Sequence, residues 1–172
     1  MKTKTLIFLL CSGAGFSVPA LAADNAFYLG IKGGKMVVDL PEYNDNSSTG
    51  LVLGYKISDG SSGSVAVEGE FTESSKADIT VLKLTGKWDI QTQAIYLATR
   101  IGGDLYFKAK VGYLNEDVNV DIVGANIAGS DSGLSAGLGL GWKLGKKAFI
   151  ELEFTIIEQD IGFGSFGAHF SF

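Results

Sequence analysis

From Phe27 onward, bulky apolar positions alternate with small or polar ones in run after run. This two-residue period belongs to strands whose two faces meet different surroundings. At the C-terminus, Phe172, Phe170, Ala168 and Phe166 alternate with Ser171, His169, Gly167 and Ser165. Eight strands are predicted, at about 26–37, 49–57, 64–74, 88–101, 105–115, 133–144, 147–157 and 161–172. The fifth is the cleanest, with Leu105, Phe107, Ala109, Val111 and Tyr113 on one face and Tyr106, Lys108, Lys110, Gly112 and Leu114 on the other. The sixth sets Leu134, Leu138, Leu140 and Trp142 against Gly137, Gly139 and Gly141, which predicts a thinly filled wall there.

Connections of two lengths separate these strands. Turns rich in Gly, Ser and Asp fall at 58–63, 102–104 and 145–146. Longer polar loops are expected at 38–48, 75–87 and 116–132, and a brief one at 158–160. Within 75–87, Ile79 to Leu84 has strand character but no clean polar face. It is read as a hairpin extension turning near Gly86, because a ninth spanning strand would break the even count of membrane barrels. Runs of ~9–11 residues suit tilted strands crossing a bilayer. Aromatics near strand ends (Phe27, Tyr55, Tyr113, Trp142, Phe170, Phe172) suit interfacial girdles.

The first 23 residues follow a different plan. Lys2 and Lys4 precede an apolar stretch from Leu6, and Ala20-Leu21-Ala22-Ala23 reads as a cleavage site after Ala22 or Ala23, the layout of a secretory signal peptide. Residues 24–172 are then the mature domain. Cleavage would remove Cys11, the one cysteine, together with two lysines, leaving 12 basic and 19 acidic residues, a net charge of −7. A disulfide framework, a thiol active site and a basic nucleic-acid footprint are thereby excluded. The chain has 24 glycines, 2 prolines and no helix-length apolar run after the signal. So apolar a chain without a spanning helix points to grease on the outside of a closed sheet: an all-β, eight-stranded antiparallel transmembrane up-and-down β-barrel.

Phe27-Tyr28-Leu29-Gly30, Leu53-Gly54-Tyr55, Val65-Ala66-Val67-Glu68, Val111-Gly112-Tyr113 and the terminal Phe172 occur in an order that resembles the small outer-membrane β-barrel family of OmpA-type and OmpX/Ail-type proteins. The resemblance covers nearly all of the mature chain. It implies a Gram-negative outer-membrane location, contact with membrane lipid and lipopolysaccharide, and insertion by the barrel-assembly machinery, which would read the last strand through Phe166, Phe170 and Phe172. It does not imply one function. No periplasmic peptidoglycan-binding domain is seen after Phe172, so a barrel alone is expected.

The polar faces carry the candidate site. Lys32, Lys56, Arg100, Lys108 and Lys110 are expected to point inward, as are Glu68, Glu70, Glu151 and Glu153. An eight-stranded interior is only wide enough to be filled by side chains. Opposite charges sharing it are expected to pair, because an unpaired buried charge is costly. The cluster is read as a plug rather than an ion path. The only histidine, His169, faces inward near the periplasmic mouth. No catalytic residue, metal ligand set or cofactor site is expected, since Gly-x-Ser-x-Gly and EF-hand spacings do not occur. The function expected is a surface-exposed scaffold presenting acidic loops (Asp39, Glu42, Asp45; Glu116, Asp117, Asp121; Glu158, Asp160) to an extracellular ligand that the sequence does not specify. The acidity disfavours heparin-like and nucleic-acid partners. The alternatives are a small porin-like channel and a lipid-modifying enzyme.

Overall fold

The computed structural model describes residues 26–39, 44–81, 84–122, 125–158 and 160–172. The predicted signal segment therefore lies outside the described residues, as does Glu42. The strands are β1 (Phe27–Val38), β2 (Asn46–Gly60), β3 (Gly63–Ser74), β4 (Ala77–Val81), β5 (Leu84–Gly102), β6 (Leu105–Ile122), β7 (Ala125–Lys143), β8 (Ala148–Glu158) and β9 (Ile161–Ser171). Neighbours are antiparallel throughout, and the pairings β3–β5 and β1–β9 close the sheet on itself. Eight strands form the wall. β4 pairs with β5 alone and continues β3 beyond the rim, as the even count requires.

One row of paired residues can be followed around the wall. It runs Phe27–Tyr55–Val67–Leu97–Val111–Ala136–Ile156–Gly162 and returns to β1 at Val37, ten positions above its start. That stagger is the shear of the barrel, and it ties closure to strands tilted by about 35–45°. Rows perpendicular to the strands are inclined to the membrane by the same angle.

Alternation turns the molecule inside out. Leu29, Ile31, Leu53, Ile95, Leu138 and Leu152 project outward and are at least half exposed, while Glu68, Lys108 and Glu151 are buried within. At the periplasmic rim, Phe27 packs on Tyr55 with ring centroids 4.7 Å apart and on Phe172 at 6.5 Å. Tyr113 sits at the outer edge of the apolar band and shares a hydrogen bond with Ser132 at 2.7 Å.

Three expectations change. The loop expected at 116–132 is mostly strand: β6 runs to Ile122 and β7 starts at Ala125, paired residue for residue. Above the membrane neither face of a hairpin has to be greasy, so Asp117, Asp121 and Asp131 sit in the ladder and erase the apolar signal. Gly86 is no turn; it pairs with both Ile79 and Ile122. The glycines of β7 do not leave the wall thin. Gly137, Gly139 and Gly141 lie directly across from Lys110, Lys108 and Tyr106. A Cβ at Gly141 would strike the Tyr106 ring, and one at Gly137 would meet Lys110 Cε at 2.8 Å. Gly54 opposite Tyr28 and Gly30 opposite His169 repeat the arrangement. Glycine is the space into which a long lumen side chain leans.

Gly141→Leu should therefore lower stability by about 1–3 kcal/mol through overpacking against Tyr106. Gly33→Ala should be near neutral, since a Cβ there meets only Ser48 O, at 3.8 Å. Urea titrations of both variants in lipid vesicles check this; equal losses would contradict it.

Candidate functional site: the lumen charge network

Register brings the inward charges together. Arg100 pairs across the ladder with Lys108, and Lys110 and Lys108 lie one step apart along β6. Glu68 and Glu70 reach in from β3, and Glu151 and Glu153 from β8 on the far wall. Lys108 Nζ lies 2.9 Å from Glu68 Oε2, Glu151 Oε2 and Glu153 Oε2 at once. Lys110 Nζ lies 2.6 Å from both Glu70 and Glu153. Arg100 donates from Nη2 to Glu68 at 2.5 Å and from Nε to Glu151 at 2.8 Å. Lys32 bonds Glu70 and stands 3.8 Å from Glu153. Four cations meet four carboxylates, all buried.

Hydroxyls and rings complete the network. Tyr28 Oη donates to Glu68 at 2.5 Å and accepts from Arg100 Nη1 at 3.2 Å. Tyr106 Oη donates to Glu151 at 2.9 Å. The Arg100 guanidinium lies 5.1 Å from the Tyr28 ring centre, and the Lys110 ammonium 4.2 Å from that of Tyr96. These faces attract a desolvated cation. A Glu68, Glu70 and Glu153 triad has its oxygens close enough together for a metal ion. Lys108 and Lys110 already occupy that position, so the donor set does not fit one.

Lys56 is the exception among the predicted lumen charges. It pairs with Asp59 at 2.9 Å near the periplasmic end of β2, apart from the network. The register of β2 against β3 shifts between Lys56 and Ser58. Lys56 itself still pairs with the buried Ala66 and keeps the inward parity; its place at the periplasmic mouth, beside the turn, is what leaves it outside the network. His169 does enter the lumen: its ring stacks on Phe149 at 4.6 Å, and Nε2 lies 3.3 Å from Glu151 Oε2.

Two apolar layers enclose the charges, and alternation alone did not single them out. On the periplasmic side lie Tyr28, Val52, Ala66, Tyr106 and Phe149. On the outer side Met36, Ile79, Trp88, Ile90, Leu114, Ile157 and Phe163 form a cap. Ile79 comes from β4, and Trp88 Nε1 donates to Asn44 O at 3.2 Å, so the extension and the β1–β2 connection close over the mouth. The signal for the cap was there: Leu114 falls on the inward parity of its strand. Within the network, a void of about 10 Å³ remains beside Lys32, Lys108, Glu151 and His169. That is room for one water at most.

Above the rim, β4 to β7 continue as a projecting sheet. Residues 125–135 of β7 pair with β6 and not with β8. Lys76 donates to Asp121 at 2.7 Å, and that bond and the carboxylate charge raise the lysine pKa. Asp39, Asp45, Asp78, Asp89, Asp117 and Asp131 stand with few cations among them, so this end of the molecule is acidic.

Residues 8–172 match the family model described as outer membrane protein beta-barrel domain. The chain belongs to this outer-membrane β-barrel family. It is a protein of the Gram-negative outer membrane. The structure resembles Neisserial surface protein A, with 14% identity over 86% of this chain and 97% of that one and a TM-score of 0.66. It also resembles the attachment invasion locus protein Ail of Yersinia pestis, with 15% identity over 87% and 100% and a TM-score of 0.60. Ail in complex with the heparin analogue sucrose octasulfate aligns at 16% identity over 85% and 96%, with a TM-score of 0.55. These likenesses show the fold. No curated protein sequence matches this chain.

Replacing Lys108 with Met should cost this barrel about 3–5 kcal/mol, because three buried carboxylates lose their shared cation. Adding Glu68→Gln should recover part of that loss. Lys56→Met should cost at most about 1 kcal/mol, as for an exposed pair. Urea unfolding of the wild type, the Lys108→Met, Glu68→Gln and Lys56→Met variants and the Lys108→Met/Glu68→Gln double variant measures all three effects; additive Lys108 and Glu68 losses would contradict a coupled network.

Proposed function

We propose that this outer-membrane barrel is a sealed, non-enzymatic scaffold that presents an acidic projecting sheet at the cell surface. The observation that carries the reading is the filled lumen: a four-by-four charge network between two apolar layers, with a void of only about 10 Å³ beside it. A conducting pore needs a continuous wet path, and paired charges under an apolar cap do not supply one.

Catalysis has no support in the same interior. His169 meets Glu151, a carboxylate already shared with Lys108 and Arg100, and the rings of Phe149 and Tyr28. The carboxylate is held by its two cations and the Tyr28 hydroxyl is bonded to Glu68 and Arg100, so neither is free to act as a nucleophile. The free β7 edge and its acidic neighbours support a contact role with molecules outside the cell. A polysulfated ligand such as the heparin analogue seen with Ail would be repelled by these carboxylates. In this reading Phe166 and Phe170, outward on β9, and Phe172, next after its last residue, all at least half exposed, are the signal read by the barrel-assembly machinery.

In planar bilayers the purified protein should give no large, steady conductance, whereas a stable channel passing sugars would overturn the scaffold reading. Trimming the β6–β7 hairpin above Glu116 and Ser132 should abolish surface contact, scored as adhesion or serum resistance, and leave a barrel that still migrates differently unheated and boiled.

A further inference from the structure

The two ends of the molecule carry free charge of opposite sign. Among the described residues, the cations that meet no carboxylate are Lys35 on β1 and three neighbours on the connection from β7 to β8, Lys143, Lys146 and Lys147. Lys146 and Lys147 are exposed and Lys143 is half-buried. The acidic end faces the cell surface; these lysines face the periplasm.

Local structure holds the three in one place. Gly145, at φ +96°, takes a conformation that side chains rarely adopt and lets the chain reverse within a few residues. Leu144 N donates to Ala148 O at 2.7 Å across the turn. Ser171 N donates to Lys147 O at 2.6 Å, which ties the turn to the aromatic rim at Phe172. Trp142 and Leu144, each more than half exposed, alternate with Lys143, whose partner on β8 is Phe149. A tryptophan on the outer wall marks the boundary between hydrocarbon and head groups. The lysines just beyond it therefore stand at head-group level. One acid belongs to the neighbouring turn: Asp104 O accepts from Lys143 N at 2.8 Å, but no ion pair joins its carboxylate to the lysines.

We propose that the β7–β8 turn seats the head of an anionic phospholipid from the periplasmic leaflet, its phosphate against Lys146 and Lys147. Lys143 adds to the same field from the mouth of the barrel. Charge selects the class, because ammonium groups without partners attract a head of net negative charge more than a zwitterionic one. Position selects the source. Lipopolysaccharide occupies the leaflet at the acidic end, whereas phospholipid faces this turn.

Trp142 supplies a local probe for the test. It lies beside the turn on the lipid-facing wall, while Trp88, the other of the chain's 2 tryptophans, is sealed in the cap. The folded barrel is placed in phosphatidylethanolamine–phosphatidylglycerol vesicles in which one lipid or the other carries brominated chains, and Trp142 quenching is measured. Brominated phosphatidylglycerol should quench as if enriched about fivefold or more at the turn, since each lysine near an anionic head contributes a factor of about five. Lys146→Gln with Lys147→Gln should bring the two lipids close to parity. Lys76→Gln, on the projecting sheet, should leave the preference unchanged. Equal quenching by both lipids around the wild type would overturn the proposal, as would a preference that survives the double substitution or is lost equally in Lys76→Gln. Sedimentation with purified cell-wall sacculi that depends on Lys146 and Lys147, without any lipid preference, would assign the turn to the wall and overturn it as well. Heat-shifted gel mobility of every variant establishes that each barrel is folded.

Discussion

The pairing of four cations with four carboxylates inside a closed wall is the constraint on which the rest of the structure depends. Each of these groups would be expensive alone in a space without water, and each is affordable only because its partners arrive from other strands. Lys108 shows the dependence most clearly: it touches carboxylates from β3 and β8 at once. The network is therefore a tertiary clamp. It fixes which strands face one another across the lumen, and it requires the register that brings β3, β5, β6 and β8 to a common depth.

Geometry and composition serve that clamp. A shear of ten positions tilts the wall and inclines every row of neighbours. Long side chains can then interleave only if the residue opposite is small, which is why glycine faces Tyr28, Tyr106, Lys108, Lys110 and His169. The same inclination acts on the outer wall, where a single row passes from hydrocarbon to headgroup level. The apolar cap, drawn partly from β4, shields the charges from external water and makes the hairpin extension part of the closure.

Much of this was readable in the chain because a strand has a period of two and a membrane barrel assigns one chemistry to each face. That logic placed Lys32, Arg100, Lys108, Lys110 and the four glutamates at the positions the structure brings together. It failed where its premises stop. Alternation gives the face of Lys56 but not its depth: the residue stands at the periplasmic mouth, beside the turn, and pairs there with Asp59. The upper halves of β6 and β7 stand outside the bilayer, so their outward faces need no grease and read as a polar loop. Trp88 and Phe163 are apolar yet point inward, and a rule that reads apolar as outward has no place for them. The glycines of β7 were seen, but a residue without a side chain does not announce which neighbour fills its space. That requires the register, which only pairing supplies.

The most direct measurement of a sealed lumen uses thiol access, since Cys11 is the one cysteine in the sequence and is easily replaced. A single cysteine is placed at Ser165, buried beside the network, and another at Leu138, on the outer wall. Both are exposed in intact vesicles to a charged, water-soluble thiol reagent and to a lipid-soluble one. The account predicts that the charged reagent leaves Ser165→Cys unmodified while the lipid-soluble reagent modifies only Leu138→Cys. Rapid labelling of Ser165→Cys by the charged reagent would mean that water runs through the barrel, and would contradict it.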